Sequence, residues 1–109
     1  MGWRMINIDY KKYNTLPKLF WRQVQQFADK TTIWHKQDGI WKSLNWEDYG
    51  NYSKEIGNAL MASGVQKGDK ISILSETRPE WVMCDMGIIC SGCVTAPIYH
   101  SNTEEQVFY

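Results

Sequence analysis

The sequence predicts an α/β protein, a partial three-layer α/β unit with one β-hairpin and one parallel β-α-β crossover. An Asp-Gly pair separates two short runs rich in β-branched and aromatic residues, which is the pattern of a hairpin. Between residues 64 and 99, two short apolar runs flank a helical pattern of about four turns. Strands joined by a helix pair in parallel, with a right-handed crossover.

The first helix is predicted to begin after Thr15, whose hydroxyl suits an N-cap. Apolar residues then recur at helical spacing and form one stripe, which we expect to pack on a sheet. The stripe consists of Leu16, Leu19, Phe20, Val24 and Phe27. The hairpin follows, with strands over residues 32–36 and 40–44 on either side of Gln37-Asp38-Gly39.

A second helix is predicted to begin after Asn45, with Glu47 and Asp48 near the positive end of its dipole. Its apolar stripe is Tyr49, Tyr52, Ile56 and Leu60, and Gly64 ends it. Gly50 and Gly57 each weaken an isolated helix by roughly 1 kcal/mol relative to alanine. Tertiary packing must therefore hold this helix.

The crossover begins with a buried strand over residues 71–74. Thr77 and Glu80 match a capping box, Pro79 fits the first turn, and Gly92 ends the helix. A second strand covers residues 94–98, and a short helix capped by Asn102 or Thr103 runs towards residue 109. Residues 1–14 form an N-terminal extension without predicted regular structure, and residues 15–109 form one partial α/β domain.

Composition excludes several classes of function. Twelve basic and twelve acidic residues are interspersed, so a nucleic-acid interface with its basic face is not expected, even though the chain has six tryptophans. No apolar run approaches the length needed to span a bilayer, and the N-terminal residues lack a signal-peptide core. These features predict a cytoplasmic protein without a transmembrane segment.

The strand-to-helix junction over residues 75–79 is a poor phosphate site. Such a site needs Gly-rich backbone donors and a nearby cation. This junction has no glycine, Glu76 repels anions, and Pro79 lacks an N–H. We interpret Arg78 as a solvated or salt-bridged side chain, and Lys67 and Lys70 as solvated lysines.

Cys90 and Cys93 form a C-x-x-C pair, which raises the hypothesis of a thiol redox or metal protein. The pair falls at the C-terminal end of the predicted helix, where the dipole disfavours a thiolate. A tetrahedral zinc ion would need further ligands, and Cys84, His35 and His100 show no recognised spacing. The alternative is that the thiols fill space between helix and sheet.

Two other candidates are also better explained by structure than by catalysis. His100 and Ser101 are adjacent on a loop, where side chains rarely face each other, so a nucleophile pair is not predicted. Asp85 lies among apolar positions of the crossover helix, where a hydrogen bond or an ion pair within the packing is expected. The sequence therefore assigns no catalytic, cofactor-binding or metal-binding residue.

The order of these elements and their local sequences resemble the N-terminal start of the AMP-forming acyl-CoA synthetases, and most closely their long-chain fatty acid branch. The resemblance covers residues from about 15 to 109. It rests on Leu44-Asn45-Trp46, Gly64-Val65, Lys67-Gly68-Asp69, Ser75-Glu76, Arg78-Pro79-Glu80-Trp81, Gly92, Val94-Thr95-Ala96-Pro97-Ile98-Tyr99 and Asn102-Thr103.

The resemblance implies a piece of the large N-terminal domain of the acyl-CoA synthetase fold, truncated at its C-terminus. Parent enzymes use ATP, magnesium and coenzyme A to convert a fatty acid to an acyl-adenylate and then to acyl-CoA. The family's signature phosphate loop, adenine and magnesium segment, ribose-binding Asp and C-terminal lysine do not occur in residues 1–109. No cofactor is therefore expected in this chain.

We accordingly predict a scaffold that is inactive alone, whose partners are the remainder of the parent enzyme and, in that parent, a fatty acid. The isolated chain should expose apolar surface, be marginally stable and self-associate, because its strands lack the covering that a parallel sheet needs. The parent enzyme is expected in the cytoplasm, with peripheral attachment to a membrane as a further possibility. Alternative hypotheses are a stand-alone α/β protein-interaction module with an aromatic interface and the C-x-x-C redox or metal protein.

Overall fold

A computed structural model describes residues 8–99 and 101–108. Four helices and four strands occur along this part of the chain in the order α-β-β-α-β-α-β-α, which confirms the mixed α/β class. Their bounds are α1 Leu16–Gln26, β1 Thr31–Gln37, β2 Ile40–Asn45, α2 Trp46–Ala62, β3 Lys70–Leu74, α3 Pro79–Cys90, β4 Val94–Ile98 and α4 Glu104–Phe108. Residues 1–7 of the predicted extension lie outside the described residues, and Asp9 organises a turn just after them.

The strands β1 and β2 form the predicted antiparallel hairpin, in which Gln37 lies opposite Ile40. Asp38 and Gly39 between them have φ values of +52° and +78°. Positive φ at both central residues is the requirement of the type I′ turn, whose twist matches that of the flanking strands. The Asp-Gly signal in the sequence thus predicted the turn correctly.

The first two helices begin at the predicted caps. The Thr15 hydroxyl accepts a hydrogen bond from the Lys18 backbone N–H at 3.3 Å. At α2 the Asn45 side chain accepts from the Asp48 N–H at 2.8 Å, and the Asp48 carboxylate accepts from the Asn45 N–H at 3.2 Å. This reciprocal pair satisfies two backbone donors that a helix start otherwise leaves free.

The capping box predicted at α3 is wrong. The helix begins at Pro79, so its N-cap is Arg78, which makes no side-chain capping hydrogen bond. Thr77 lies one residue too early, and the Glu80 carboxylate is instead bound by Arg78, with 2.8 Å between Nε and Oε2. The Glu80 carboxylate therefore accepts from a charged side chain two residues away and not from the Thr77 backbone N–H, as a capping box would require.

The centre of the molecule is the crossing of α2 and α3, where glycines allow a close approach. A Cβ atom on Gly57 would lie 3.2 Å from the Gly87 carbonyl oxygen, and one on Gly87 would lie 2.9 Å from the Ser53 carbonyl oxygen. Ser53 is fully buried at this crossing. Gly50 similarly faces Val24 of α1. The glycines that weaken α2 in isolation are thus the residues that let it pack.

An aromatic cluster joins α1 to α2. The Phe20 ring lies 4.8 Å from the Tyr49 ring and 5.2 Å from the Trp21 ring, both in edge-to-face geometry. The Trp46 and Tyr49 rings stack at 5.9 Å. The main contacts of α1 are with α2 and α3, so the expectation that α1 packs on a sheet is wrong for the described residues.

The strands β3 and β4 pair in parallel, with Ile73 opposite Pro97, which confirms the β-α-β crossover. Gly64 and Gly92 have positive φ and end α2 and α3, as predicted. The last short helix is capped by Thr103, whose N–H donates to the Gln106 side chain while its hydroxyl accepts from the Gln106 N–H.

The chain is less compact than a typical folded domain of its length. Its radius of gyration is 16.1 Å, against about 13 Å for a compact domain of this size. Its accessible surface is 8688 Å², against about 6,300 Å² for a folded monomer of its mass. Large apolar side chains remain exposed, including Leu74 at 65% and Val94 at 51%. The expectation of exposed apolar surface is therefore confirmed.

Candidate functional site

A cleft of about 770 Å³ lies between the hairpin and the start of α3. β1 contributes His35 and Lys36 to one wall, and the loop before α3 contributes Glu76 and Arg78 to the other. Sequence reasoning did not anticipate this cleft. Its two walls are about forty residues apart in the chain, so only the tertiary arrangement brings them together.

The electrostatics of this cleft do not suit a phosphate. The Arg78 guanidinium forms an exposed ion pair with Glu80, as the sequence analysis expected for Arg78. Hydrogen bonding to Arg78 holds the pKa of the Glu80 carboxyl below its usual range. An anion approaching the first turn of α3 would meet this carboxylate, Glu76 and the N–H-free Pro79. Lys67 and Lys70 are exposed, as expected of solvated lysines.

The three cysteines occupy different environments. Cys84 borders an apolar groove, Cys90 ends α3, and Cys93 is buried just before β4. Burial raises the pKa of the Cys84 and Cys90 thiols, so their reactive thiolate forms are disfavoured at neutral pH. The Cys93 thiol lies 3.3 Å from the Gln66 carbonyl oxygen and donates to it. This arrangement favours packing over redox chemistry.

Metal ligands do not gather in residues 8–99 and 101–108, where no group of three His, Cys, Asp or Glu side chains could hold an ion. His35 lies in the cleft described above. Ser101 is exposed, and its sequence neighbour His100 lies outside the described residues.

Asp85 acts on the α2–α3 interface through its charge. The Tyr49 hydroxyl donates a hydrogen bond to the Val82 carbonyl oxygen at 3.3 Å and so links the two helices. Burial is the main cause of a raised pKa at Tyr49, and the negative charge of Asp85 adds to it. Asp85 itself is half-buried beside a groove on the β4 side of α3. Among the described residues the Asp85 carboxylate has no hydrogen-bond or ion-pair partner, so the expectation of one is wrong.

Two grooves run beside α3 along the parallel strand pair. The groove on the β3 side has a volume of about 330 Å³ and an apolar lining that includes Ile56, Leu60 and Leu74. The groove on the β4 side includes Asp85, Val94 and Pro97. Purely parallel sheets occur in proteins almost only with both faces covered. Both grooves leave large apolar side chains of the strand pair exposed to solvent, Leu74 in the first and Val94 in the second.

None of the helices in the described part of the chain combines the length and the apolar character needed to cross a membrane.

Comparison with known proteins decides the family. The family model described as AMP-binding enzyme matches residues 20–109. The chain belongs to this family. The match covers most of the described structure, from the aromatic cluster of α1 to α4.

Curated relatives of the chain are long-chain-fatty-acid–CoA ligases, as the resemblance predicted. FadD15 of Mycobacterium bovis is 39% identical over 70 residues, which cover 64% of this chain and 12% of the relative. ACSBG2 of Rattus norvegicus is 27% identical over 95 residues, which cover 87% of this chain and 14% of the relative. The chain thus spans about an eighth of the length of these relatives.

Solved structures confirm the fold. A fatty acid AMP ligase from Legionella pneumophila superposes with a TM-score of 0.83 at 18% identity, covering 94% of this chain and 18% of that one. The N-terminal subdomain of Klebsiella oxytoca NpsA gives a TM-score of 0.77 at 19% identity, covering 85% of this chain and 23% of that one. The hairpin and the parallel crossover are therefore part of the N-terminal domain fold of adenylate-forming enzymes.

Proposed function

We propose that the chain is the N-terminal portion of a long-chain fatty acid–CoA ligase and contributes scaffold to it. The observation that carries this proposal is the AMP-binding family match over residues 20–109, together with curated relatives named as long-chain-fatty-acid–CoA ligases. In the parent enzyme, ATP and a fatty acid would give an acyl-adenylate and pyrophosphate with magnesium bound. The thiol of coenzyme A would then take the acyl group and release AMP.

The chain alone should be inactive, because adenylate formation needs donors and a cation converging on the α-phosphate. The junction before α3 supports this proposal, since Glu80 and Pro79 occupy the helix start and Arg78 is already paired. The hairpin and the α2–α3 pair would act as a support for loops that lie elsewhere in the parent. ATP, magnesium and coenzyme A would accordingly bind outside these residues.

The remainder of the parent enzyme would be the chain's main partner. Further strands and helices would cover the grooves beside β3 and β4, and the fatty acid would bind to the assembled enzyme. The exposed Leu74 and Val94 support this role. Large apolar side chains exposed on a sheet typically mark a surface that another part of a protein covers. Without that covering, the chain should self-associate.

Two measurements test the proposal. The purified 109-residue chain, incubated with palmitate, ATP, magnesium and coenzyme A, should release no pyrophosphate, whereas a full-length long-chain ligase should do so in the same assay. An antibody raised against the chain should detect a polypeptide several times larger than 12.8 kDa in cells that carry the gene. Turnover by the chain alone, or a native product of only this mass, would contradict the proposal.

We place the parent enzyme in the cytoplasm, with peripheral attachment to a membrane. The three free cysteines support a reducing compartment, where thiols persist without disulfides. Fractionation of cells should recover the native polypeptide with cytosol or with membranes, and salt should release any membrane-bound part. Recovery only after detergent extraction would count against peripheral attachment.

A protein-interaction module is the second candidate, and one observation favours it. Trp34 and Trp41 of the hairpin are both more than 60% exposed. Exposed tryptophan side chains favour this candidate because tryptophan is typically enriched where proteins bind one another. An interaction module would give a saturable complex that the Trp34→Ala and Trp41→Ala variants weaken. The redox or metal hypothesis is disfavoured by the raised thiol pKa values of Cys84 and Cys90.

A further inference from the structure

The chain has no net charge, but its basic residues are concentrated near the start of α1. Residues 9–22, called the basic segment below, contain four basic residues and one acidic residue, Asp9. The basic residues are Lys11, Lys12, Lys18 and Arg22. The Asp9 carboxylate already accepts hydrogen bonds from the backbone N–H groups of Lys11 and Lys12. Residues 24–109, in contrast, contain more acidic than basic residues.

Tyr13 and Arg22 hold the turn of the basic segment against α1. Arg22 is only 8% exposed, and its guanidinium carbon lies 5.6 Å from the centre of the Tyr13 ring. The Lys12 ammonium nitrogen lies 5.4 Å from the centre of the same ring. The Lys18 ammonium donates a hydrogen bond to the Asn14 side chain at 3.2 Å. These contacts gather the cations around one turn of the chain, although the sequence separates them by up to eleven residues.

The positive charge of the basic segment is not neutralised within the described chain. Lys11, Lys12 and Lys18 are exposed, and the only ion pair in residues 8–99 and 101–108 joins Arg78 to Glu80. Lys18 also lies in the first turn of α1, where the helix dipole disfavours a cation and where no acidic residue offsets it. An anionic partner outside the chain would complement this charge.

The side chains beside the lysines favour a lipid surface as that partner. Tyr10 is 66% exposed next to Lys11, and Leu16 is 52% exposed at the start of α1. Tyrosine is enriched at the interface between membrane and water, and peripheral membrane surfaces combine lysines with apolar side chains. A nucleic acid could stack on Tyr10, but its phosphates offer nothing to the aliphatic Leu16.

We propose that the basic segment binds the surface of a membrane that contains anionic phospholipids. Lys11, Lys12 and Lys18 bind the phosphate and carboxylate groups of the lipid headgroups, and Tyr10 lies at headgroup level. Arg22 is a positioning residue, because it holds the turn through Tyr13. This inference rests on the peripheral attachment proposed above and assigns it a surface and a lipid charge.

Cosedimentation of the 109-residue chain with sucrose-loaded vesicles tests the proposal. Each basic residue near an anionic membrane raises the partition coefficient about five-fold. The Lys11→Gln/Lys12→Gln/Lys18→Gln variant should therefore bind vesicles of phosphatidylcholine and phosphatidylserine roughly 100-fold more weakly than the unaltered chain. The unaltered chain should bind pure phosphatidylcholine vesicles as weakly as this variant does. Raising the salt concentration from about 0.1 M to 1 M should release the unaltered chain, because it shortens the screening length.

The Lys42→Gln/Lys54→Gln/Lys70→Gln variant is the matched control, since it loses the same charge from exposed positions outside the basic segment. Its partition coefficient should stay close to that of the unaltered chain, and circular dichroism should show that both variants are folded.

Three outcomes would overturn the proposal. Equal losses in the two triple variants would show that net charge drives binding, and equal binding to neutral vesicles would show that exposed apolar side chains do. A single-stranded oligonucleotide that binds the unaltered chain, and binds the variant of the basic segment less, would assign this surface to nucleic acid. None of these outcomes bears on the mass of the native polypeptide, which tests the ligase proposal.

Discussion

At the scale of single residues, close packing between helices determines which residue a position accepts more than helix propensity does. Gly57 and Gly87 are poor helix formers, yet each faces the other helix, where an added Cβ atom would lie 3.2 Å and 2.9 Å, respectively, from a backbone carbonyl oxygen. The sequence showed that something must compensate for the glycines of α2, but it could not show what. The compensation is a contact with a helix some thirty residues away, which no local pattern encodes.

Gly87→Ala should lower the free energy of unfolding by about 1–3 kcal/mol, because the added methyl meets the Ser53 carbonyl oxygen at 2.9 Å and Ile56 at 2.8 Å. Urea unfolding followed by far-ultraviolet circular dichroism would measure this loss. Asn58→Ala, at an exposed position of α2, is the matched control and should be neutral or slightly stabilising. Equal stability of the two variants would contradict the close crossing.

The partly buried thiols of Cys84 and Cys90, together with Tyr49, should make stability fall at alkaline pH. Burial raises the folded-state pKa values of Cys84, Cys90 and Tyr49 above those of the unfolded chain. The unfolded state therefore loses protons first, and stability is complete below the ordinary thiol pKa of about 8.5 and declines as pH rises beyond it. The urea midpoint should accordingly be lower near pH 10 than near pH 7.

The Cys84→Ala/Cys90→Ala double variant provides the control for this pH effect. Its urea midpoint should depend less steeply on alkaline pH, since only Tyr49 of the three groups remains to titrate. A midpoint that rises with pH in the unaltered chain would show that the direction of these pKa shifts is wrong.

At the scale of elements, the beginnings and ends of helices were the most predictable features. Thr15, Asn45 and Gly64 act through groups within four residues, so the sequence contains the whole interaction. Thr77 failed as a cap for an equally local reason, because the Glu80 carboxylate accepts from the charged Arg78 side chain and not from the Thr77 backbone N–H. Competition between adjacent residues, rather than any distant contact, moved this cap.

Asn45→Ala and Thr77→Ala form a matched pair at the starts of α2 and α3. Asn45→Ala should cost about 1 kcal/mol, because it removes one hydrogen bond of the capping box. Thr77→Ala should change stability by less than about 0.5 kcal/mol, since Thr77 is exposed and is not the N-cap of α3. Thermal unfolding of both variants would check the pair, and a larger loss for Thr77→Ala would restore the capping box that the structure lacks.

At the scale of the whole molecule, the fold class and the strand pairing followed from the sequence, whereas the candidate site did not. The Asp-Gly turn and the crossover both rest on near neighbours or on short connections. The cleft beside α3 depends on where the hairpin lies relative to the start of that helix. The hairpin shares few contacts with the rest of the chain. Its position was therefore beyond sequence reasoning.

The open shape should be measurable in the dilute isolated chain. A dye such as anilinonaphthalene sulfonate should fluoresce strongly, because Leu74, Val94 and Ile40 present apolar surface to solvent. A well-packed lysozyme at equal concentration is the control and should give little signal. Dye fluorescence as low as that of lysozyme would show that these apolar side chains are covered in solution.

The position of the core has a consequence for the order in which the molecule opens. Phe20, Met83 and Ile88 are buried among helices, whereas both strand pairs lie at the periphery with open edges. Backbone amides of α2 and α3 should therefore exchange with deuterium more slowly than those of β3 and β4 in the dilute chain. In most α/β proteins the central strands are the last to open, whereas here the helices would retain their backbone amide protons longest during exchange.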